Sequence, residues 1–232
     1  MNDLTRPDTI DPPYLHPDYR STRLRAPREP LIALPKGALD VAGPLVPAGF
    51  VRDGDNDLTG HGKAAPLGEK MVLSGRLLDE SGRPIPRSLV EVWQANASGR
   101  YDHPGDTHDA PLDPNFTGVG RVFTDDDGWY RFVTIKPGAY PWQNHAFAWR
   151  PQHIHFSLLG NAPIQRLVTQ MYFPGDPLLA LDPVYNSVPD EKARLRMIST
   201  LALETGVEGI ALGYRFDIVL AGSKSTPMEA SA

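Results

Sequence analysis

Two histidines separated by one residue, His153 and His155, form the sharpest chemical feature of the sequence. They lie in a segment typical of a strand, where alternate side chains share one face of a sheet, so both imidazoles could bind one metal ion. Ile154 and Phe156 would then point to the opposite face, into a core. The pattern alone suits a cupin iron, a zinc hydrolase or a copper site, and it also suits a polar pair on a solvated sheet face.

Any further metal ligands must come from other residue types, because the chain has no cysteine. This absence excludes disulfides, thiol nucleophiles, zinc fingers and iron–sulfur clusters. Tyr101 and Tyr140 each lie in a loop that follows a strand-like segment. A loop tyrosine usually serves packing, but two phenolates would be hard anionic ligands, which suit ferric iron better than zinc. His103 and His108 are rival ligands, although their Pro-, Gly- and Asp-rich context favours solvation.

The composition predicts that these candidate ligands lie on a scaffold of short strands. The 232 residues include 24 prolines and 21 glycines, which is typical of strands joined by many turns rather than of a helix-rich fold. One segment, 189–200, is typical of a helix. The strand-like segments are 71–78, 88–94, 120–124, 129–134, 153–159, 166–173 and 214–220. We therefore expect an all-β fold with an antiparallel β-sandwich core, a Pro-rich N-terminal arm and one or two short helices.

Two turn signals predict how these strands connect. The cluster at 79–84 predicts that strand 88–94 returns from strand 71–78. The Asp-Asp-Asp-Gly run at 125–128 predicts a hairpin between the strands that flank it.

The chain divides by composition into three parts. Residues 1–66 hold ten of the prolines and form an extended arm. This arm has too many apolar side chains for a free linker, so we expect it to pack on its own domain or on a partner subunit. Residues 67–222 form the β-sandwich catalytic domain, and the small, polar residues 223–232 form a flexible tail.

Composition also excludes several function classes. The net charge of -5 at pH 7 argues against a nucleic-acid partner, because such proteins usually carry a basic excess. No apolar run approaches the length of about 18 residues that a membrane span needs. The first residues lack the apolar core of a signal peptide. We expect a cytoplasmic protein with no membrane partner.

Taken together, the motifs resemble the intradiol ring-cleavage dioxygenases, a family that uses non-haem Fe(III). The resemblance extends from about residue 19 to about residue 222, and its combined motifs are specific although each piece alone is not. The matching stretches are 75–101, 110–116, 134–138, 140–142, 149–151, 153–156, Gln170, 172–173, 175–177 and 214–220.

The resemblance implies a role for each candidate residue. The iron ligands would be Tyr101, Tyr140, His153 and His155. Tyr140 matches the tyrosinate that leaves the iron when substrate binds, and Arg150 matches an arginine that stabilises negative charge on the substrate ring. A buried ion pair is the alternative role for Arg150. The substrate-binding residues would be Tyr19, Trp142, Gln170, Tyr172 and Val184. Val184 stands where a bulkier isoleucine is expected, which would widen the pocket.

The implied activity is cleavage of a catechol ring by O2. The expected substrate is protocatechuate (3,4-dihydroxybenzoate), cleaved to 3-carboxy-cis,cis-muconate during aromatic catabolism through the β-ketoadipate pathway. The alternatives are the same chemistry on 4-sulfocatechol or hydroxyquinol, and a non-catalytic β-sandwich binding module without iron. The implied partner is a homologous α subunit that lacks the iron ligands, in an (αβ)n assembly whose interface would use the Pro-rich arm.

Overall fold

A computed structural model describes residues 10–29, 46–47, 49–60, 62–142, 149–159 and 166–229. The strands are β1 (Lys70–Leu78), β2 (Leu89–Trp93), β3 (Val119–Phe123), β4 (Trp129–Ile135), β5 (Tyr140–Pro141), β6 (Trp149–Arg150), β7 (His153–Leu159), β8 (Arg166–Tyr172), β9 (Thr200–Leu201), β10 (Leu212–Arg215) and β11 (Ile218–Val219). The helices are α1 (Thr22–Arg25), α2 (Pro183–Asn186) and α3 (Glu191–Leu195), with 3₁₀ turns at Pro177–Leu181 and Leu203–Thr205.

The strands form two larger sheets and a small ribbon. In the first sheet β1 pairs with β4, β10 and β11, and β9 pairs with β10. The second sheet has the order β3-β2-β7-β8, and β5 pairs with β6 in the ribbon. The predicted all-β sandwich with short helices is confirmed. Its pairs are antiparallel except that β10 and β11 run parallel to β1.

The core lies between the two sheets and follows from their alternating side chains. On β7, Ile154 and Phe156 are buried, as predicted. The ring of Phe156 meets Tyr130 of β4 at 5.8 Å and Phe216 at 5.3 Å between centroids, so the two sheets are joined by aromatic contacts. Burial of each such side chain contributes about 1.5–3 kcal/mol. The opposite face of β7 is left for the two histidines.

Both predicted turns exist, but neither joins paired strands. β1 and β2 lie in different sheets, and so do β3 and β4, so the hairpin predicted at 125–128 is wrong. Asp125 still folds the turn, because its carboxylate accepts the N–H groups of Asp127 and Trp129 at 3.0 and 2.8 Å. Turn residues determine where the chain bends, whereas burial determines which sheet each strand joins.

The predicted helix at 189–200 is shorter than expected. α3 begins after Asp190, whose carboxylate accepts the N–H of Lys192 at 3.0 Å. Beyond α3 the chain extends to pair with the end of β8, since Met197 O accepts the N–H of Tyr172 and Tyr172 O accepts the N–H of Ser199. Tertiary pairing therefore replaces the last helical turn.

The predicted strand at 214–220 is interrupted between β10 and β11. At the interruption the side chain of Asp217 accepts the N–H of Arg76 at 2.9 Å. The carboxylate thus satisfies a donor of β1 where the ladder breaks.

The described part of the N-terminal arm packs on the sandwich. Leu58 is fully buried, and Asp57 forms a parallel bridge with Val133 of β4. Residues 1–9, 30–45, 48 and 61 lie outside the described residues. The role of the arm at a subunit interface stays a prediction.

The described part of the C-terminal tail packs on the domain, whereas we expected a flexible segment. Thr226 and Glu229 are buried, although residues 230–232 lie outside the described part. Small, polar composition indicated fraying, but the hydrogen bonds of these residues fix them to the domain.

Within the described ranges the helices are too short and polar to provide a membrane span. The cytoplasmic location stays a prediction.

Candidate metal centre and substrate pocket

The two histidines lie on the outer face of the second sheet. On β7, His153 is opposite Tyr172 of β8, while His155 is opposite Gln170 of β8 and Trp93 of β2. The imidazole centroids of the histidines are 4.9 Å apart. The ring of Trp93 stacks on His155 at 4.8 Å with an interplanar angle of 6°. The predicted same-face arrangement is confirmed, and the strand ladder holds it in place.

Two tyrosines reach the histidines from loops. The rings of Tyr101 and Tyr140 meet edge to face at 5.4 Å. Tyr140 is 5.5 Å from His153, and Tyr101 is 6.4 Å from His155, between ring centroids. Residues from three distant parts of the sequence therefore converge as one cluster of four rings.

Direct backbone contact between the two loops brings the tyrosines together. Gly138 donates its N–H to the carbonyl of Asn96 at 2.9 Å. Gly99 has a φ of 80°, a left-handed conformation that favours glycine. A Cβ on Gly99 would overlap the carbonyl oxygen of Ala139, and one on Gly138 would overlap that of Ala97. The absence of side chains at these two glycines thus places Tyr101 beside Tyr140.

The hydrogen bonds of His153 present a lone pair to Tyr140. Nδ1 lies 2.7 Å from the carbonyl oxygen of Pro151, which can only accept, so the ring proton is on Nδ1. Nε2 carries the lone pair and lies 3.2 Å from the Tyr140 hydroxyl, which donates to it. This is the tautomer in which histidine binds metals through Nε2.

Burial keeps Tyr101, Tyr140 and His153 neutral in the absence of a cation. It raises the pKa of Tyr101 well above its ordinary value, and the neighbouring Tyr140 adds to this. The pKa of Tyr140 is also raised by burial, against an opposing effect of the Arg150 charge. The pKa of His153 is lowered well below its ordinary value by burial and then by Arg150 and His155. The imidazole lone pair of His153 is therefore available, whereas the tyrosines need a bound cation to ionise.

The donor set fits a hard trivalent cation. The Tyr101 hydroxyl is buried and has no hydrogen-bond partner among the described residues, which costs about 1–3 kcal/mol unless another group satisfies it. The described ranges contain no cluster of three or more His, Asp or Glu side chains that could hold a metal ion. A metal ion at this cluster would therefore require tyrosine oxygen, a ligand that suits Fe(III).

Arg150 is a fixed buried cation beside this cluster. Its Nε and Nη2 donate to the two carboxylate oxygens of Asp182 at 3.0 and 3.1 Å, and Nη2 also donates to Gln170 Oε1 at 2.5 Å. Its guanidinium carbon is 5.0 Å from the Trp142 ring centroid. Burial alone would lower the pKa of Arg150, but Asp182 and the nearby tyrosines raise it well above its ordinary value. The ion pair proposed as an alternative role exists, and it keeps the charge in place next to Tyr140.

Sequence reasoning missed Asp182 and Glu229. Asp182 precedes Pro183 and caps α2 through the N–H of Val184 at 3.2 Å. An Asp-Pro pair is a recognisable helix start, but it does not indicate the ion pair with Arg150. No local sequence signal indicates a role for Glu229.

Glu229 comes from the tail and faces the outer side of β7 and β8. Its Oε2 lies 3.2 Å from His155 Nδ1 and 2.6 Å from Gln170 Nε2. Burial opposes ionisation, but hydrogen bonds from His155 and Gln170 and the charge of Arg150 lower the pKa of Glu229.

A cavity of about 720 Å³ opens beside the four rings. Its lining residues include Trp93, Tyr101, His103, His108, Tyr140, Trp142 and His155. The Tyr19 ring is 5.1 Å from the Trp142 ring, so Tyr19 lies next to a residue of the cavity wall. His103 lines the cavity, but its Nδ1 already accepts the N–H of Gly105 at 3.0 Å.

The other predicted substrate-binding residues are less accessible. Gln170, Tyr172 and Val184 are buried and are absent from the described lining of this cavity. Gln170 and Tyr172 instead contact Arg150. Direct contact of these three residues with substrate stays a prediction.

Comparison with known proteins gives the family of this chain. The family model described as "Dioxygenase" matches residues 41–222. The model described as "Protocatechuate 3,4-dioxygenase beta subunit N terminal" matches residues 5–36. The chain belongs to the intradiol ring-cleavage dioxygenase family. The dioxygenase is thus an enzyme of the oxidoreductase class, as expected from its motifs.

Three similar proteins show how far the likeness of this dioxygenase extends. A protocatechuate 3,4-dioxygenase beta chain from Burkholderia cepacia is 58% identical over 220 residues, 94% of this chain and 93% of that protein. A protocatechuate 3,4-dioxygenase alpha chain from Pseudomonas putida is 31% identical over 206 residues, 85% of this chain and 97% of that protein. The solved dioxygenase domain of a carbohydrate-binding fusion from Streptomyces sp. SirexAA-E is 26% identical, covers 78% of this chain and 99% of that chain, and has a TM-score of 0.52.

Proposed function

We propose that this dioxygenase cleaves protocatechuate with O2 to 3-carboxy-cis,cis-muconate, using non-haem Fe(III). The observation that carries the proposal is the convergence of Tyr101, Tyr140, His153 and His155 beside an open cavity. The name of the Burkholderia cepacia relative supports the choice of substrate.

The four residues would hold the iron at an acceptable electrostatic cost. Two phenolates would cancel two of the three positive charges of Fe(III), and two neutral imidazoles add none. A catecholate dianion that replaces one phenolate would bring the total charge to zero. Bound there, ferric iron would act as a Lewis acid that makes the catecholate ring reactive towards O2.

Tyr140 would accept one of the two protons that the substrate must lose. A catechol must lose two protons to bind as a dianion, so bases are needed at the cavity wall. Tyr140 lines the cavity, and its hydroxyl oxygen is 3.2 Å from His153 Nε2. As a phenolate it would accept a proton at this oxygen and turn away from His153.

Arg150 would stabilise negative charge that develops on the substrate ring. Its ion pair with Asp182 fixes the guanidinium in a buried, low-dielectric position, where a preorganised charge is most effective. Trp142 lies over the guanidinium and lines the cavity. Trp142 and Tyr19 would therefore pack around the substrate and orient it towards Arg150.

We further propose that the enzyme is an (αβ)n assembly with a homologous α subunit. This chain is 31% identical to an alpha chain from Pseudomonas putida, so it is related to chains of the alpha type. The arm at residues 1–66 would contribute to the contact.

The test is turnover by the protein co-expressed with its homologous α chain. We expect O2 uptake and 3-carboxy-cis,cis-muconate with protocatechuate, and lower kcat/KM with 4-sulfocatechol and hydroxyquinol. His108→Ala is the control, because His108 lines the cavity outside the ring cluster and should keep iron at the wild-type level. A higher kcat/KM for 4-sulfocatechol or hydroxyquinol would reject the substrate, and an iron-free, inactive complex would reject the function.

A further inference from the structure

The C-terminal segment 225–229 runs beside the edge strand β8. Thr226 donates its N–H to the carbonyl of Val219 at 2.8 Å, and Glu229 donates its N–H to the carbonyl of Val168 at 2.8 Å. The hydroxyl of Thr169 donates to the carbonyl of Pro227 at 2.7 Å. These bonds hold the backbone that leads to the Glu229 side chain.

The Glu229 carboxylate lies where two functional side chains meet. Its side chain is 10% exposed, and its Oε2 contacts both His155 Nδ1 and Gln170 Nε2. The amide nitrogen of Gln170 can only donate, so Glu229 Oε2 accepts its N–H, and the same oxygen accepts an N–H from His155 Nδ1. His155 then carries its lone pair on Nε2, and the Gln170 amide turns its oxygen towards Arg150, at 2.5 Å from Nη2.

We propose that Glu229 is a positioning residue that fixes the His155 tautomer for iron binding and the Gln170 amide orientation for Arg150. The inference rests on the proposed function, since it assigns His155 to the iron. A carboxylate behind a ligating imidazole makes the ring nitrogen a stronger donor and fixes its orientation. The tail thereby connects an iron ligand with the substrate-side cation.

Glu229→Gln separates this role from packing. Glutamine has nearly the same shape, but its amide can donate as well as accept, so it no longer dictates which nitrogen of His155 carries the proton. Glu208→Gln is the matched control, because Glu208 is exposed on a loop before β10. Glu229→Asp keeps the charge on a shorter side chain and should restore part of the wild-type behaviour.

The experiment measures iron release to a ferric chelator from the full chain co-expressed with its α subunit. The absorption band of the iron-bound tyrosinates reports the iron that remains. Loss of an outer partner of a metal ligand typically costs 10–100-fold, so we expect Glu229→Gln to release iron about 10-fold faster than wild type. Its absorption band should also shift, while Glu208→Gln keeps the wild-type rate and band.

The outcomes separate this inference from the proposed function. If Glu229→Gln has the wild-type release rate and band, the positioning role is wrong while the proposed function stands. If the wild-type complex takes up no iron, the proposed function fails and this inference fails with it. If Glu229→Gln does not fold, Thr226→Val replaces it, since loss of the hydroxyl that accepts the N–H of Val219 loosens the tail. Faster release from that variant supports the role, and an unchanged rate overturns it.

Discussion

The two halves of the ring cluster are positioned by different kinds of structure. His153 and His155 belong to β7, which is hydrogen-bonded on both sides by β2 and β8. Tyr101 and Tyr140 are held by the contact of two loops at Gly99 and Gly138. The strand half is therefore rigid by construction, whereas the loop half depends on one close backbone approach. This difference suits a site in which one tyrosine is proposed to leave the metal while the histidines stay.

The strongest challenge to the strand half is His153→Ala. It removes a ligand from the rigid half, so we expect the iron content and the turnover rate to fall at least about 10-fold. Iron per αβ unit, measured by metal analysis, checks this expectation. Full iron content with full turnover would show that the histidine half is not the metal site.

Tyr140→Phe tests the loop half with a smaller expected effect on metal binding. Three proposed ligands remain, so the protein should retain iron, but its colour should change because one tyrosinate is lost. Loss of a group that accepts a substrate proton should slow kcat by about 100-fold. Absorption spectra and single-turnover rates measure the two effects. A variant that loses its iron as completely as His153→Ala would remove the proposed contrast between the halves.

The loop contact itself is tested by Gly99→Ala. The added Cβ would overlap the Ala139 carbonyl, and the positive φ adds strain, so we expect a loss of about 1–3 kcal/mol in unfolding free energy together with weaker iron binding. Gly82→Ala is the control, since Gly82 has the same φ of 80° with no atom near the added Cβ. The control should lose only about 1 kcal/mol and keep its iron, as measured by denaturant unfolding and metal analysis. Equal iron loss in both variants would mean that the contact at Gly99 does not position Tyr101.

The sequence was most informative where a local period determines geometry. Alternation along β7 predicted that His153 and His155 share a face while Phe156 enters the core, and both features are present. The two tyrosines lie in loops without a period. Their residue type made them candidate ligands, but only the resemblance to a family assigned them to the metal. Their convergence depends on a contact between segments about forty residues apart along the chain, which local patterns do not encode.

Errors arose where tertiary contacts override local signals. The run at 125–128 has the chemistry of a turn, but burial sends its flanking strands to different sheets. The tail has the composition of a frayed end, yet the hydrogen bonds of Thr226 and Glu229 attach it to the domain. Asp182 could be recognised as a helix cap, whereas its pairing with Arg150 requires the fold.

The most direct test of the central claim is the visible spectrum of the purified αβ protein, recorded anaerobically before and after addition of protocatechuate. Charge transfer from Tyr101 and Tyr140 to Fe(III) should make the protein red, and binding of the substrate should shift the band to longer wavelength. A red protein whose band shifts is the predicted result. A colourless protein that contains no iron would contradict the claim that these two tyrosines and two histidines form an iron site.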